Sequence, residues 1–212
     1  MKRRLTSHFF WGSQSPLAAL GCVGLIIMAS SRFSFALICS SALIWMFGLT
    51  TLIYTCAQRF MPSRGKWVIL LFLSTFLCGF FALLVSFLNP LLAMGTIFFI
   101  VLIPPWSLSS GFFEALESTE PMEAVIRALI EAITMAGVIL ALSLIREPLG
   151  MGTISFPGGP EGIVELFGGR DADAFVPARI LSVSAGGLLL LGYITALYRY
   201  FREQNDGPER LS

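Results

Sequence analysis

The chain has 212 residues, of which 56% are apolar and 13% charged, with a formal net charge of +1 and a mean hydropathy of +0.81. That balance excludes a soluble cytosolic enzyme, a disordered chain and a disulfide-stapled secreted domain. It offers nucleic acid no basic surface, and its single histidine, His8, excludes a histidine-built metal centre.

Most of such a chain belongs in a bilayer, where a span needs roughly 20 apolar residues. The first apolar stretch, Pro16–Ser31, is short and contains Pro16, Gly21 and Gly24. Its basic lead, Lys2 to Arg4, imitates a signal peptide. The apolar run continues past Cys22, however, and reads as the first membrane element of a mature protein. Phe33–Ala57 and Trp67–Leu88 follow as two full spans. Pro90–Leu108 is interrupted by Pro90, Gly95 and the pair Pro104-Pro105, which predicts a broken or re-entrant element. A fifth element over about Pro121–Ile145 carries Arg127 and Glu131. After a long Gly/Pro-rich loop over 146–179, Ile180–Phe201 forms the last span.

The two interrupted stretches resemble each other. Ser15-Pro16-Leu17-Ala18-Ala19-Leu20-Gly21 and Asn89-Pro90-Leu91-Leu92-Ala93-Met94-Gly95 align with Pro and Gly in register, 74 residues apart, and two long spans follow each. The predicted fold is therefore an all-α integral membrane protein of six transmembrane elements, arranged as two inverted three-helix repeats with elements 1 and 4 short or broken. Residues 1–14 form an N-terminal tail, 15–88 and 89–201 the repeats, and 202–212 a C-terminal tail. With both termini cytoplasmic, nine basic residues fall inside and four outside: Arg32, Arg146, Arg170 and Arg179. That distribution follows the positive-inside rule.

Acidic residues recur at Glu114, Glu117, Glu120 and Glu123 before the fifth element. Glu123, Arg127 and Glu131 then share one helical face at four-residue spacing. Ionisable groups inside a span face protein or water, so the three form either an internal ladder of ion pairs or part of an ion path. Arg127 is assigned to the ladder and Glu131 is left between the two; Glu114 and Glu131 are the ion-path candidates. Of the four cysteines, Cys39, Cys56 and Cys78 read as small buried hydrophobes. None of the four stands in a C-x-x-C pair, which excludes a local zinc or cluster loop.

Three segments resemble the RnfA/RnfE–NqrD/NqrE family of paired six-helix subunits in Rnf and sodium-translocating NADH:quinone oxidoreductase complexes. They are Ser15-Pro16 with Leu20-Gly21-Cys22, Gly111-Phe112-Phe113-Glu114-Ala115-Leu116, and Ile145-Arg146-Glu147-Pro148-Leu149-Gly150-Met151-Gly152. The last is the most specific and favours the RnfE/NqrD branch. The resemblance implies a subunit in a bacterial cytoplasmic membrane that pairs with a homologous RnfA/NqrE-like partner, alongside subunits carrying flavin and iron–sulfur clusters. It also implies a shared [2Fe-2S] cluster with one cysteine from each broken element. Here Cys22 stands one residue before the family position, Val23, and Ser107 occupies the place of the second cysteine. The implied function is to relay electrons across the membrane or to scaffold that relay, without a catalytic site of its own. The alternative is a stand-alone secondary transporter, which inverted repeats fit equally well.

Overall fold

The computed structural model describes residues 20–58, 65–109, 121–158, 162–166 and 178–205. They form α1 (Leu20–Ala29), α2 (Phe33–Ala57), α3 (Lys66–Leu88), α4 (Pro90–Ser109) and α5 (Pro121–Met151). A two-stranded antiparallel hairpin follows, β1 (Ser155–Pro157) with β2 (Ile163–Glu165), in which Phe156 stands opposite Val164. A 3₁₀ turn, Arg179–Ser182, then leads into α6 (Ser184–Asn205). Among the described residues four helices are long and apolar enough to cross a membrane: Phe33–Ala57, Lys66–Leu88, Pro90–Ser107 and Met122–Met151. In α6 the corresponding apolar stretch is the shorter Ser184–Leu197. The protein is a mostly helical, multi-pass membrane protein, and the small hairpin is its addition to the expected all-α architecture.

The expected break in element 4 does not occur. Pro90 opens α4, where a missing N–H costs nothing because first-turn amides have no helical partner. Asn89 serves two helices at once. Its N–H donates to Val85 O at 2.8 Å, closing α3, and its Oδ1 accepts from Leu92 N–H at 3.2 Å, opening α4. Gly95 is not a break either: a Cβ there would lie 2.9 Å from Phe35 Cζ, so the glycine makes room for that ring. Pro104 and Pro105 fall near the C-terminal end of α4, and the helix runs on to Ser109. Residues 15–19, which carry the first half of the proposed internal match, lie outside the described residues.

The second correction concerns 146–179. The fifth helix does not stop at Ile145 but continues through Arg146, Glu147 and Pro148 to Met151. It ends where Gly152, at φ 69°, turns left-handed and donates its N–H to Pro148 O at 3.0 Å. Glycine tolerates that conformation without a Cβ clash. Charged residues at the end of an apolar run suggest a loop, but these two are buried and find partners inside the protein.

Helix α2 is central and runs antiparallel to α5. Ser40 Oγ donates to Ala136 O at 3.4 Å, and Gly48 faces Leu129 further along. Ala128, Ala132 and Ala136 are buried on α5. In lipid, where apolar side chains gain little by leaving the solvent, small residues stabilise helix contacts by letting backbones approach. Aromatic contacts tie α2 to its other neighbours: Trp45 to Phe80 and Phe81 of α3, and Phe35 to Phe99 and Phe47 to Trp106 of α4. The large side chains left exposed, among them Phe72, Phe76, Phe87, Met94 and Phe98, form the lipid-facing surface.

Candidate functional site

The strongest concentration of buried polar groups lies at one end of the bundle. The C-terminus of α1, the start of α2, the α3–α4 link, the end of α5, the hairpin and the 3₁₀ turn all meet there. Arg146 is 2% exposed. Its Nε donates to Leu181 O at 2.6 Å and its Nη2 to Ser182 O at 3.0 Å. Its Nη1 donates to Ile27 O at 2.5 Å and to Ser30 Oγ at 3.3 Å. Ile27 O belongs to the last turn of α1, where carbonyls have no helical donor and the helix dipole is negative. The guanidinium therefore satisfies a helix end and the 3₁₀ turn with one planar fork of donors.

Glu147, 1% exposed, does the converse job next door. Its Oε2 accepts from Phe33 N–H at 2.5 Å, in the first turn of α2. The adjacent Ser34 N–H donates to Ser155 Oγ at 3.3 Å, and Ser155 Oγ donates in turn to Ser34 Oγ at 3.2 Å. Arg32 precedes α2 without a side-chain cap, so the carboxylate arrives from another helix to supply one and meets the positive end of the dipole. Among the described residues Glu147 Oε1 has no hydrogen-bond partner. Arg146 and Glu147 do not pair with each other; among the described residues the ion pair within 4 Å is Arg32–Glu165, at 3.8 Å.

Glycines make this joint possible. A Cβ at Gly150 would lie 2.8 Å from Ser182 N, one at Gly187 would lie 3.2 Å from Arg146 Cζ, and one at Gly186 would run into Ile180 O. The Ile145–Gly152 segment thus has a structural duty for nearly every polar or glycine position. Arg146 seals α1, Glu147 caps α2, Gly150 admits the 3₁₀ turn and Gly152 ends α5.

The conservative exchange at Glu147 separates hydrogen bonding from charge. Glu147→Gln keeps an oxygen for Phe33 N–H and is expected to change stability by less than about 1 kcal/mol. Glu147→Ala removes the cap and is expected to cost about 1–2 kcal/mol. Thermal unfolding in detergent reads both. Equal losses for the two variants would show that the negative charge, not the hydrogen bond, holds the start of α2.

The residues singled out from sequence are dispersed. Cys22 lies in α1, and its side chain is outside the described residues, as is the whole segment holding Glu114, Glu117 and Glu120. Ser107 is buried in the last turns of α4, and its Oγ donates to Pro104 O at 2.7 Å. That bond turns the hydroxyl back onto its own helix. Cys39 and Cys78 are buried thiols as expected, whereas Cys56 is exposed. Among the described residues no three metal-ligating side chains converge.

Glu131 is 7% exposed in the middle of α5, with Arg127 half-buried one turn earlier. The expected ladder of ion pairs is not formed: no carboxylate of the described residues lies within 4 Å of Arg127. Glu123 is exposed at the helix start, where an acid suits the dipole.

Arg146 and Glu147 are the buried residues that sequence reasoning misplaced. An adjacent opposite-charge pair at the end of an apolar run, followed by Pro and two spaced glycines, was the available signal. No protein-family model matches the chain, and no curated protein matches it.

Proposed function

We propose that the chain is an integral membrane subunit of an Rnf/Nqr-type ion-translocating electron-transport complex. It pairs there with a homologous subunit and scaffolds the relay between flavin- and cluster-bearing partners. The observation that carries this reading is the Ile145–Gly152 segment. It is the most specific of the motif matches, and its residues do the joining work of the fold, which is what a motif tied to one architecture requires. The packing of α2 along α5 and of α1 against α4 also supports two related halves, because these are equivalent helices of the two repeats. The charge distribution along the chain supports a bacterial cytoplasmic membrane with both termini inside.

Scaffolding is favoured over carrying current because Ser107 stands where the resemblance calls for the second cysteine. A [2Fe-2S] cluster in such a complex would draw on Cys22 alone from this chain. Thiolate ligation of that kind supplies one-electron transfer when a cluster is bound.

The test is anaerobic purification through this subunit, with EPR on the reduced sample, beside a Cys22→Ala variant. The expected outcome for a scaffold is co-purification of flavin and iron–sulfur subunits without an intramembrane [2Fe-2S] signal that depends on Cys22. A signal lost in the variant would make the chain a relay in its own right. Recovery of the chain without partners would overturn the complex and favour the second reading, a stand-alone secondary transporter. The observation on that side is Glu131, a carboxylate buried within a span without an ion-pair partner among the described residues.

A further inference from the structure

We infer that the β1–β2 hairpin is an interfacial element whose outer face lies in the headgroup–acyl boundary of the bilayer, not in water and not against protein. The inference is independent of the proposed complex and needs only the membrane location of the helices.

Position comes first. The inner side of the hairpin is fixed to helix ends. Ser155 bonds the first turn of α2; on the opposite face Phe156 tilts against Phe33, ring centroids 5.1 Å apart, and stays exposed. A Cβ at Gly162 would lie 3.1 Å from Asn89 Oδ1 and Leu92 N and 3.2 Å from Leu91 Cβ. The hairpin therefore lies against the first turns of two membrane-crossing helices, at the level where their apolar surface ends.

Composition of the outer face comes second. Phe156 and Val164 oppose each other across the strands. Leu166 continues the same face two residues on, its N–H donating to Ile154 O at 2.9 Å. All three are exposed. A hairpin with one face on protein and the other in water puts polar residues outward; this one puts out Phe, Val and Leu.

Continuity comes third. The hairpin touches Leu91, itself exposed, whose neighbours Phe87 and Leu88 at the end of α3 are 90% and 83% exposed and belong to the lipid-facing surface. Ile180 and Val183, at the entry to α6, are exposed at the same end. Exposed apolar side chains thus stand both at the helix ends and on the adjoining hairpin. The polar margin appears at the Arg32–Glu165 pair and at exposed Arg179, residues suited to the phosphate level of a bilayer.

The test uses the full chain in phosphatidylcholine–phosphatidylglycerol vesicles. Val164→Cys and Leu166→Cys are made separately in a Cys22→Ser/Cys56→Ser background, since Cys39 and Cys78 are buried. Each is labelled with a nitrobenzoxadiazole fluorophore. Quenching by a nitroxide carried high on the lipid acyl chain is then compared with quenching by aqueous iodide. The expected result at both positions is blue-shifted emission and lipid-borne quenching several-fold stronger than that by iodide. Free access of iodide with no lipid quenching would put the face in water and overturn the proposal. Protection from both quenchers would mean that protein covers it, and would overturn it equally. Two positions are used so that misfolding of one labelled variant leaves the other to decide.

Discussion

Replacing Arg146 by alanine is expected to cost on the order of 3–5 kcal/mol of folding stability, the largest effect of any single truncation in the described chain. The side chain serves three backbone carbonyls and one hydroxyl, contributed by α1 and the 3₁₀ turn. Alanine leaves the carbonyls of Leu181 and Ser182 without the donor they now share and opens a void behind Gly187, whose Cα packs on the guanidinium. No water from the hydrocarbon side replaces those donors. Arg146→Lys should recover only part of the loss, because an ammonium is a point donor and cannot reproduce a planar fork reaching Nε, Nη1 and Nη2 partners. The measurement is thermal unfolding of the purified protein in one detergent, wild type beside both variants. A lysine variant as stable as wild type would show that buried positive charge suffices and that the fork geometry is incidental.

Gly186→Val is expected to be comparably damaging by a different route. A Cβ at 186 would overlap Ile180 O and approach Leu181 Cα at 2.7 Å, both backbone atoms of the 3₁₀ turn. Backbone cannot rotate aside as a side chain can, so the turn must move. Moving it withdraws the Leu181 and Ser182 carbonyls from Arg146. Overpacking of this kind costs typically about 1–3 kcal/mol, and here the loss of charged hydrogen bonds adds to it. Because both variants break one joint, the Arg146→Ala/Gly186→Val double variant should lose less than the sum of the single losses. Strict additivity of the two losses would mean that the turn and the arginine are held independently.

How far the sequence could be read follows from the kind of signal each element gives. Helix α2 matches its expected bounds, Phe33–Ala57, and α3 differs by one residue, because an apolar run between basic anchors is a local property. Pro and Gly read as breakers in the sequence, yet α4 runs unbroken. Pro90 lies in the one turn that tolerates it, and Gly95 answers to Phe35, a partner remote in sequence. The end of α5 and the work of Arg146 and Glu147 were not legible. Their partners, Ile27 O and Phe33 N–H, lie 119 and 114 residues away and are backbone atoms that leave no mark in the residue pattern. At α6, an extended Val183 separates the 3₁₀ turn from Ser184, a boundary that an uninterrupted apolar run conceals. Glu131 is legible only as a buried acid; its four-residue spacing from Arg127 does not bring the two within ion-pair distance.

The Arg146 joint also sets a schedule for biogenesis. The helix it seals, α1, leaves the ribosome first, yet its exit carbonyl at Ile27 waits for residue 146, and the fork is filled only when Ser182 has been made. The apolar stretch that holds α1, Pro16–Ser31, is short for about 30 Å of hydrocarbon. Until synthesis is nearly complete, the early helices must be kept from premature exit or mispairing by the insertion machinery. Contacts that close over so long a loop form late and slowly. The joint at α1 is therefore completed by the turn that enters α6, not by α1 itself.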